Sequence, residues 1–217
     1  MTDDVVVDQE EFERFLKERF ASCSEATGDH RIVDAVEDLV SKHQKDSIGT
    51  FLLDAAMMIT RLFEFKEVAF GLKDTADGRF KYAVTLGFLP ATQEAMRKIA
   101  YTMEDMNDHT NYKDIKLGRI SEFVIDSPEQ DLRTFNRPAL VHKKRSMIDE
   151  FLEGDYIDIY LFGTAEEMIG WLELAGPKSG KIPAADTIRW LELITSIIGR
   201  IAWERMYSQS NQKNQLF

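Results

Sequence analysis

The chain has 217 residues and one cysteine, Cys23, and it carries a net charge of −11. A chain of this length buries roughly 70% of its unfolded surface, so it needs no disulfide or metal staple; a lone cysteine can form no internal bridge and leaves a zinc site without partners. The acidic balance repels phosphate backbones and argues against nucleic-acid binding; no apolar stretch reaches the ~20 residues needed to span a bilayer, and "MTDDVVVDQEE" lacks a secretory pattern, so the expectation is a soluble cytoplasmic protein with no membrane attachment.

Residues 1–45 hold twelve acids against six bases. Within them, "DQEEFERFLKERFASC" places Phe12, Phe15, Leu16, Phe20 and Cys23 on one helical face. "EATGDHR" interrupts it, and Ile32, Val33, Val36, Leu39 and Val40 resume the helical period. "SIGTFLLDAAMMITRLF" continues it, so residues 30–64 read as one long helix or two joined near Asp46. The period then becomes two. Val68, Phe70 and Leu72 alternate, Asp77-Gly78 supplies a turn, and Phe80, Tyr82, Val84 and Leu86 alternate again, which predicts a β-hairpin.

Pro90 ends that hairpin, and "ATQEAMRKIAYTME" predicts a short helix. Residues 105–119 are polar and loop-like, "SEFVI" is a short strand, and 126–150 is ambiguous, punctuated by Pro128 and Pro138. The basic run "HKKR" at 142–145 reads as a solvated loop. "DYIDIYLFG" and "EEMIGWLELAG" are two strands, and Glu166 and Glu167 between them read as surface groups. "AADTIRWLELITSIIGRIAWERMY" is a long helix, followed by a polar tail. Consecutive antiparallel strands with helices gathered beside them make an α+β architecture. Its expected parts are an N-terminal helical extension (1–45), a main domain (46–208) and a flexible tail (209–217).

"ELAGPKSGKIP" at 173–183 suggests a phosphate-cradling loop, but the spacing fails. Gly176 and Gly180 are separated by three residues where a Walker loop needs four, and Lys181 is followed by Ile182, which has no hydroxyl for magnesium. The simpler reading is that Gly176-Pro177 stops a strand, Lys178–Lys181 form a solvated turn, and Pro183 sits near the first turn of the next helix.

The run from Glu166 to Glu204 resembles the end of a GAF domain. There, an Ile-Gly-x-Leu-x-Leu strand leads through a Pro- and Gly-containing turn into a helix that carries Leu-Glu-Leu. Ile169, Gly170, Leu172, Pro177, Gly180, Pro183, Leu191 and Glu192 match that pattern. "VTLGFLPATQEAMRKIAYTMEDM" and "KLGRISEFVI" are similar to a microbial sensory subgroup, and the resemblance spans roughly residues 46–206. It implies an antiparallel sheet flanked by helices, with additional N-terminal helices here. It also implies a small-ligand sensor or dimerising connector without catalytic activity of its own. Any output would pass through a signalling partner, since no kinase, cyclase or helix-turn-helix segment accompanies the domain.

Each chemical subtype of the family implies particular residues. The cyclic-nucleotide signature is not found. Cys23 lies upstream of the region where bilin or sulfoxide-reductase cysteines belong. Some sensory GAF domains hold haem, and His109 and His142 fall in segments expected to form the pocket; a histidine in a polar loop is usually solvated, so no cofactor or metal is expected and haem is the minor alternative.

The implied pocket lies between the sheet and residues 91–125, with Phe70, Tyr82, Tyr101, Met103, Phe123, Tyr160 and Trp171 as lining candidates and Asn107 and Arg119 as polar contacts. The competing reading is that these rings fill an ordinary core. The last helix carries two apolar stripes where one buried face needs a single stripe. Ile188, Leu191, Ile194, Ile198 and Ile201 form the first; Trp190, Leu193 and Ile197 form the second, widened by Trp203 and Tyr207. A homodimer is therefore expected, with Phe12, Phe15, Phe20, Trp190, Leu193, Ile197 and Trp203 as interface candidates. A ligand-blind dimerisation adaptor is the alternative.

Overall fold

A computed structural model of the chain describes residues 8–21, 30–42, 46–108, 114–125, 144–164 and 166–214. Two N-terminal helices, α1 (Gln9–Ala21) and α2 (His30–Lys42), precede α3 (Ile48–Phe63). Ser47 caps α3 by accepting the Thr50 N–H at 3.2 Å, and Glu64 closes it in the left-handed region (φ 58°), so the chain reverses directly into a strand. The break near Asp46 therefore yields two helices.

The sheet then builds up through β1 (Phe65–Lys73) and β2 (Phe80–Leu86). After the helix α4 (Pro90–Met96) come β3 (Ala100–Tyr101), α5 (Met103–Met106), β4 (Asp114–Lys116), β5 (Ser121–Val124), β6 (Tyr156–Phe162) and β7 (Met168–Pro177). The helix α6 (Ala185–Asn214) closes the fold. The seven strands lie in the order β3-β2-β1-β7-β6-β5-β4, and every pairing is antiparallel. The α+β reading holds. No helix among the described residues is long and apolar enough to cross a membrane.

One sheet face carries the core. Phe70 and Val68 from β1, Phe123 from β5, Ile157, Ile159 and Leu161 from β6, and Leu172 and Leu174 from β7 meet Phe51, Leu52, Ala55 and Ile59 of α3. They also meet Ile188, Leu191, Ile194 and Ile198 of α6. The first α6 stripe is thus the buried one. The N-terminal helices share this core: Phe12 and Leu16 of α1 are fully buried, and Phe12 packs edge-on against Phe123 with ring centroids 5.9 Å apart.

Several sequence expectations need correction. The helix expected over 91–104 breaks into three short elements. Thr102 starts a new helical turn through a capping box with Asp105, while Tyr101 pairs with Phe80 as β3. The segment 105–119 contains β4. Arg145, placed in a solvated basic loop, is buried: its Nη2 binds both carboxylate oxygens of Asp155 at 2.6 and 2.5 Å, and its guanidinium lies 3.8 Å from the Phe12 ring centroid. The strand β7 ends at Pro177, which pairs with Phe65, in keeping with the expected Gly176-Pro177 stop, and α6 runs as helix to Asn214. Lys178–Lys181 are exposed as expected. Gly180 donates to the Pro177 carbonyl at 2.8 Å, and Lys181 pairs with Asp149.

The alternation read over β2 is also interrupted. Phe70 pairs with Val84 and Gly71 with Tyr82, so Ala83 is an extra residue in β2. This bulge reverses which face the following side chains occupy. Val84 and Leu86 pack against the core, whereas Tyr82 turns to the opposite face. A second shift, between Leu161 and Phe162, leaves Ile169 as the extra residue of β7.

Candidate functional site

The sheet face opposite the core follows from the same parity. With Ile157, Ile159 and Leu161 of β6 turned inward, Tyr156, Asp158 and Tyr160 share the other face. Leu172 and Leu174 of β7 likewise leave Trp171 and Glu173 there, and Phe123 leaves Glu122 and Val124 of β5. The α5 turn overhangs this face. Together they enclose a cavity of about 70 Å³ lined by Tyr82, Tyr101, Asp105, Met106, Asp108, Asp114, Glu122, Val124, Tyr156, Asp158, Tyr160, Trp171 and Glu173.

Three rings form one wall. Trp171 meets Tyr82 at 5.0 Å and Tyr101 at 5.8 Å between centroids, and the two tyrosines stand 6.4 Å apart, all edge-to-face. Gly71 makes this arrangement possible. It pairs with both Trp171 and Tyr82, and a Cβ on it would collide with the benzo ring of Trp171. The indole thus lies across β1 and reaches the tyrosine two strands away.

Two hydroxyl–carboxylate pairs fix the floor. The Tyr82 hydroxyl donates to Glu173 at 2.7 Å, and the Tyr160 hydroxyl donates to Glu122 at 2.7 Å. Burial, aided by the negative charge of Glu173, pushes the Tyr82 pKa well above the ordinary tyrosine value. Burial also raises that of Tyr160, with Asp158, Glu122 and Asp114 acting in the same direction. Both phenols are held neutral as donors.

Of the nine lining candidates, the structure brings Tyr82, Tyr101, Tyr160 and Trp171 to the cavity. The other five belong elsewhere. Phe70 and Phe123 are buried in the core on the opposite face, where strand parity sends them. Arg119 is exposed in the turn between β4 and β5. Met103 and Asn107 belong to or flank α5 but face solvent, with the Asn107 amide donating to the Met103 carbonyl at 2.8 Å. The carboxylates of the wall escaped the sequence reading. Glu173, an acid inside the apolar run "WLELAG", and Asp158, an acid between two tyrosines in mid-strand, were the available signals. His109, His142 and Cys23 lie outside the described residues, and among the described residues no group of acids, histidines and cysteines has the geometry to hold a metal ion.

The interface candidates also separate. Phe12 is covered within its own chain, and Phe15 and Phe20 are half-buried against the core. Trp203 lies on another flank of α6, packed over Gly163, where any Cβ would strike its indole. Leu193 is 51% exposed and Trp190 and Ile197 are half-buried, so the second stripe stays open to the outside. Inward of it, Glu192 accepts the Ile120 N–H at 2.7 Å and the Ser121 hydroxyl at 2.8 Å, tying α6 to the start of β5.

No family sequence model matches the chain, and no curated protein matches it in sequence. Solved structures do. The GAF domain of a phosphoenolpyruvate-protein phosphotransferase from Acinetobacter aligns at a TM-score of 0.53 and 9% identity, over 81% of this chain and 94% of that one. The GAF domain of a candidate sensor histidine kinase from Pseudomonas syringae pv. tomato aligns at 0.54 and 11%, over 85% and 92%. A free methionine-R-sulfoxide reductase from Neisseria meningitidis, in complex with its substrate, aligns at 0.50 and 13%, over 87% and 98%. At such identities the likeness concerns the fold, and the fold is that of a GAF domain.

Proposed function

From that fold we propose that this chain is a regulatory module without catalytic chemistry of its own, which binds a small ligand on the open sheet face and pairs with a second copy through its helical face. The observation that carries the reading is the cavity beneath α5, where two neutral phenols and an indole are fixed by specific contacts around a polar floor. A concave site with a few oriented polar groups is the usual form of a small-molecule site. The fold hosts both a candidate histidine-kinase sensor domain and a reductase. The described wall offers carboxylates and phenols, with no thiol, serine or imidazole among them, which favours binding over nucleophilic chemistry.

Ligand binding would then bias the packing of α6, and the signal would leave through a partner protein. Thermal denaturation of the purified chain against a metabolite panel tests this. A compound that raises the midpoint in the parent chain and has no effect on a Tyr82→Ala variant supports the reading; no response to any compound defeats it. The small volume, about 70 Å³ against the roughly 300–1,000 Å³ of drug-sized pockets, favours one alternative: a ligand-blind adaptor whose role is dimerisation alone. An unresponsive but dimeric protein is the result that reading expects.

A further inference from the structure

The two edges of the sheet differ. At one, β4 is three residues long, two of them charged, and α1 packs against it. At the other, β3 is two residues long and pairs only with Phe80 and Lys81. On the side away from β1, no strand among the described residues pairs with residues 82–86 of β2. The backbone donors and acceptors of such an edge are a template for a further strand unless charge, brevity or a cover blunts them. The bulge at Ala83 twists this edge and limits the run open to pairing to a few residues. Beside that run the surface is hollow. Gly49 and Leu53 of α3, residues 82–85 of β2 and Arg97 at the end of α4 line an open groove of about 270 Å³. Leu53 is 41% exposed, and a Cβ on Gly49 would meet nothing nearer than the Ser47 hydroxyl at 3.9 Å. Arg97 is the one charged side chain in the described lining.

We propose that this groove docks an extended, acid-bearing segment of a partner protein, which adds to β2 as a further strand, sets an apolar side chain beside Leu53 and brings a carboxylate to Arg97. In strand addition the main-chain hydrogen bonds give affinity and the flanking pockets give specificity. The edge of β2 supplies the first, and Leu53 with the bare surface of Gly49 supplies the second. Arg97 selects the charge, since a guanidinium binds a carboxylate more strongly than any neutral acceptor. A second copy is the poorer occupant. Through its own β2 it offers "FKYAVTLGF", with a lysine and no acid to meet Arg97, and each copy carries a net charge of −11. This docking surface adds a partner contact to the regulatory reading and does not need the cavity to be occupied. The two sites meet at Tyr82, which lines both.

A phage library of random dodecapeptides is selected on the chain and counter-selected on Gly49→Phe, whose ring would fill the groove. Leu53→Lys takes its place should that variant fail to fold. Enriched peptides are expected to alternate β-branched apolar residues, to carry an acid and to lack proline. The most enriched one is then synthesised and its affinity read by fluorescence anisotropy. Arg97→Glu is expected to weaken it about 10-fold, and exchanging the peptide's acid for lysine to restore binding to that variant. N-methylation of one alternate set of its amides is expected to abolish binding, and of the other set to leave it, because a strand bonds β2 along one side only. No enrichment, or a peptide indifferent to both methylated sets and to Arg97→Glu, overturns the proposal. So does a consensus that is helical or basic. A dimer dissociated by Gly49→Phe and not by Leu193→Glu assigns the edge to a second copy and overturns it as well. A metabolite response without peptide binding leaves the ligand-binding reading standing alone; peptide binding without a metabolite response leaves only the docking surface.

Discussion

Gly71 is the residue on which the aromatic wall depends. Its missing side chain is the space occupied by the Trp171 benzo ring, so Gly71→Ala must move either the indole or the backbone of β1. Overpacking of this kind costs about 1–3 kcal/mol, measurable as a fall in the urea midpoint at unchanged slope, together with altered tryptophan fluorescence. Tyr82 and Tyr160 make a second prediction, on pH. Their folded pKa values lie above the ordinary value of about 10 that they regain on unfolding. The folded state therefore holds these protons more tightly. The stability it gains is complete below pH ~10 and is lost as pH rises from there towards the folded values. Denaturant unfolding at a series of alkaline pH values should show stability falling above pH ~10, with a shallower fall in the Tyr82→Phe/Tyr160→Phe double variant.

At the scale of the element, α1 is held by burial and by a charged clasp. Phe12 lies between the Phe123 ring and the Arg145 guanidinium, and Arg145 is paired with Asp155, which also accepts the Leu152 N–H at 2.7 Å. Phe12→Ala is expected to cost about 3–5 kcal/mol, read from the denaturation midpoint, because it opens a cavity and removes the ring covering a buried cation. Helix periodicity makes Phe12 legible as an apolar anchor, yet pattern alone does not say whether the partner is the same chain or another; the ring is covered within its own chain. Strands had a different difficulty. Phe80, Tyr82, Val84 and Leu86 alternate without a break, and nothing in those letters marks Ala83 as the bulge that moves Tyr82 to the cavity. In β6, where no bulge intervenes before Leu161, the alternation in the sequence is the alternation in space, and it sets Tyr160 on the face opposite Ile157 and Ile159.

Across the whole molecule, the order of strands was not written in any segment, because β1 pairs with β7 over a separation of about a hundred residues that only closure of the core decides. The turn, strand and helix of 166–204 were legible because each carries its own local signal; the acidic half of the site was not, because acids on a half-buried strand look like acids on a solvated one. The open stripe of α6 belongs to this scale too. Leu193→Glu is expected to leave the fold intact and to convert a dimer into a monomer, read by size exclusion with light scattering. A parent chain that is monomeric at high concentration would refute the pairing.

Glu192 and Leu193 are consecutive, yet they belong to two different surfaces: one grips the backbone entering β5, whose next residue but one lies on the cavity floor, and the other faces outward from the helix. On the proposed reading, a ligand in the cavity and a neighbour on the helix would therefore act on adjoining residues of α6. On that reading no chain of contacts through the interior is required, because a tilt of the one helix would move both residues together.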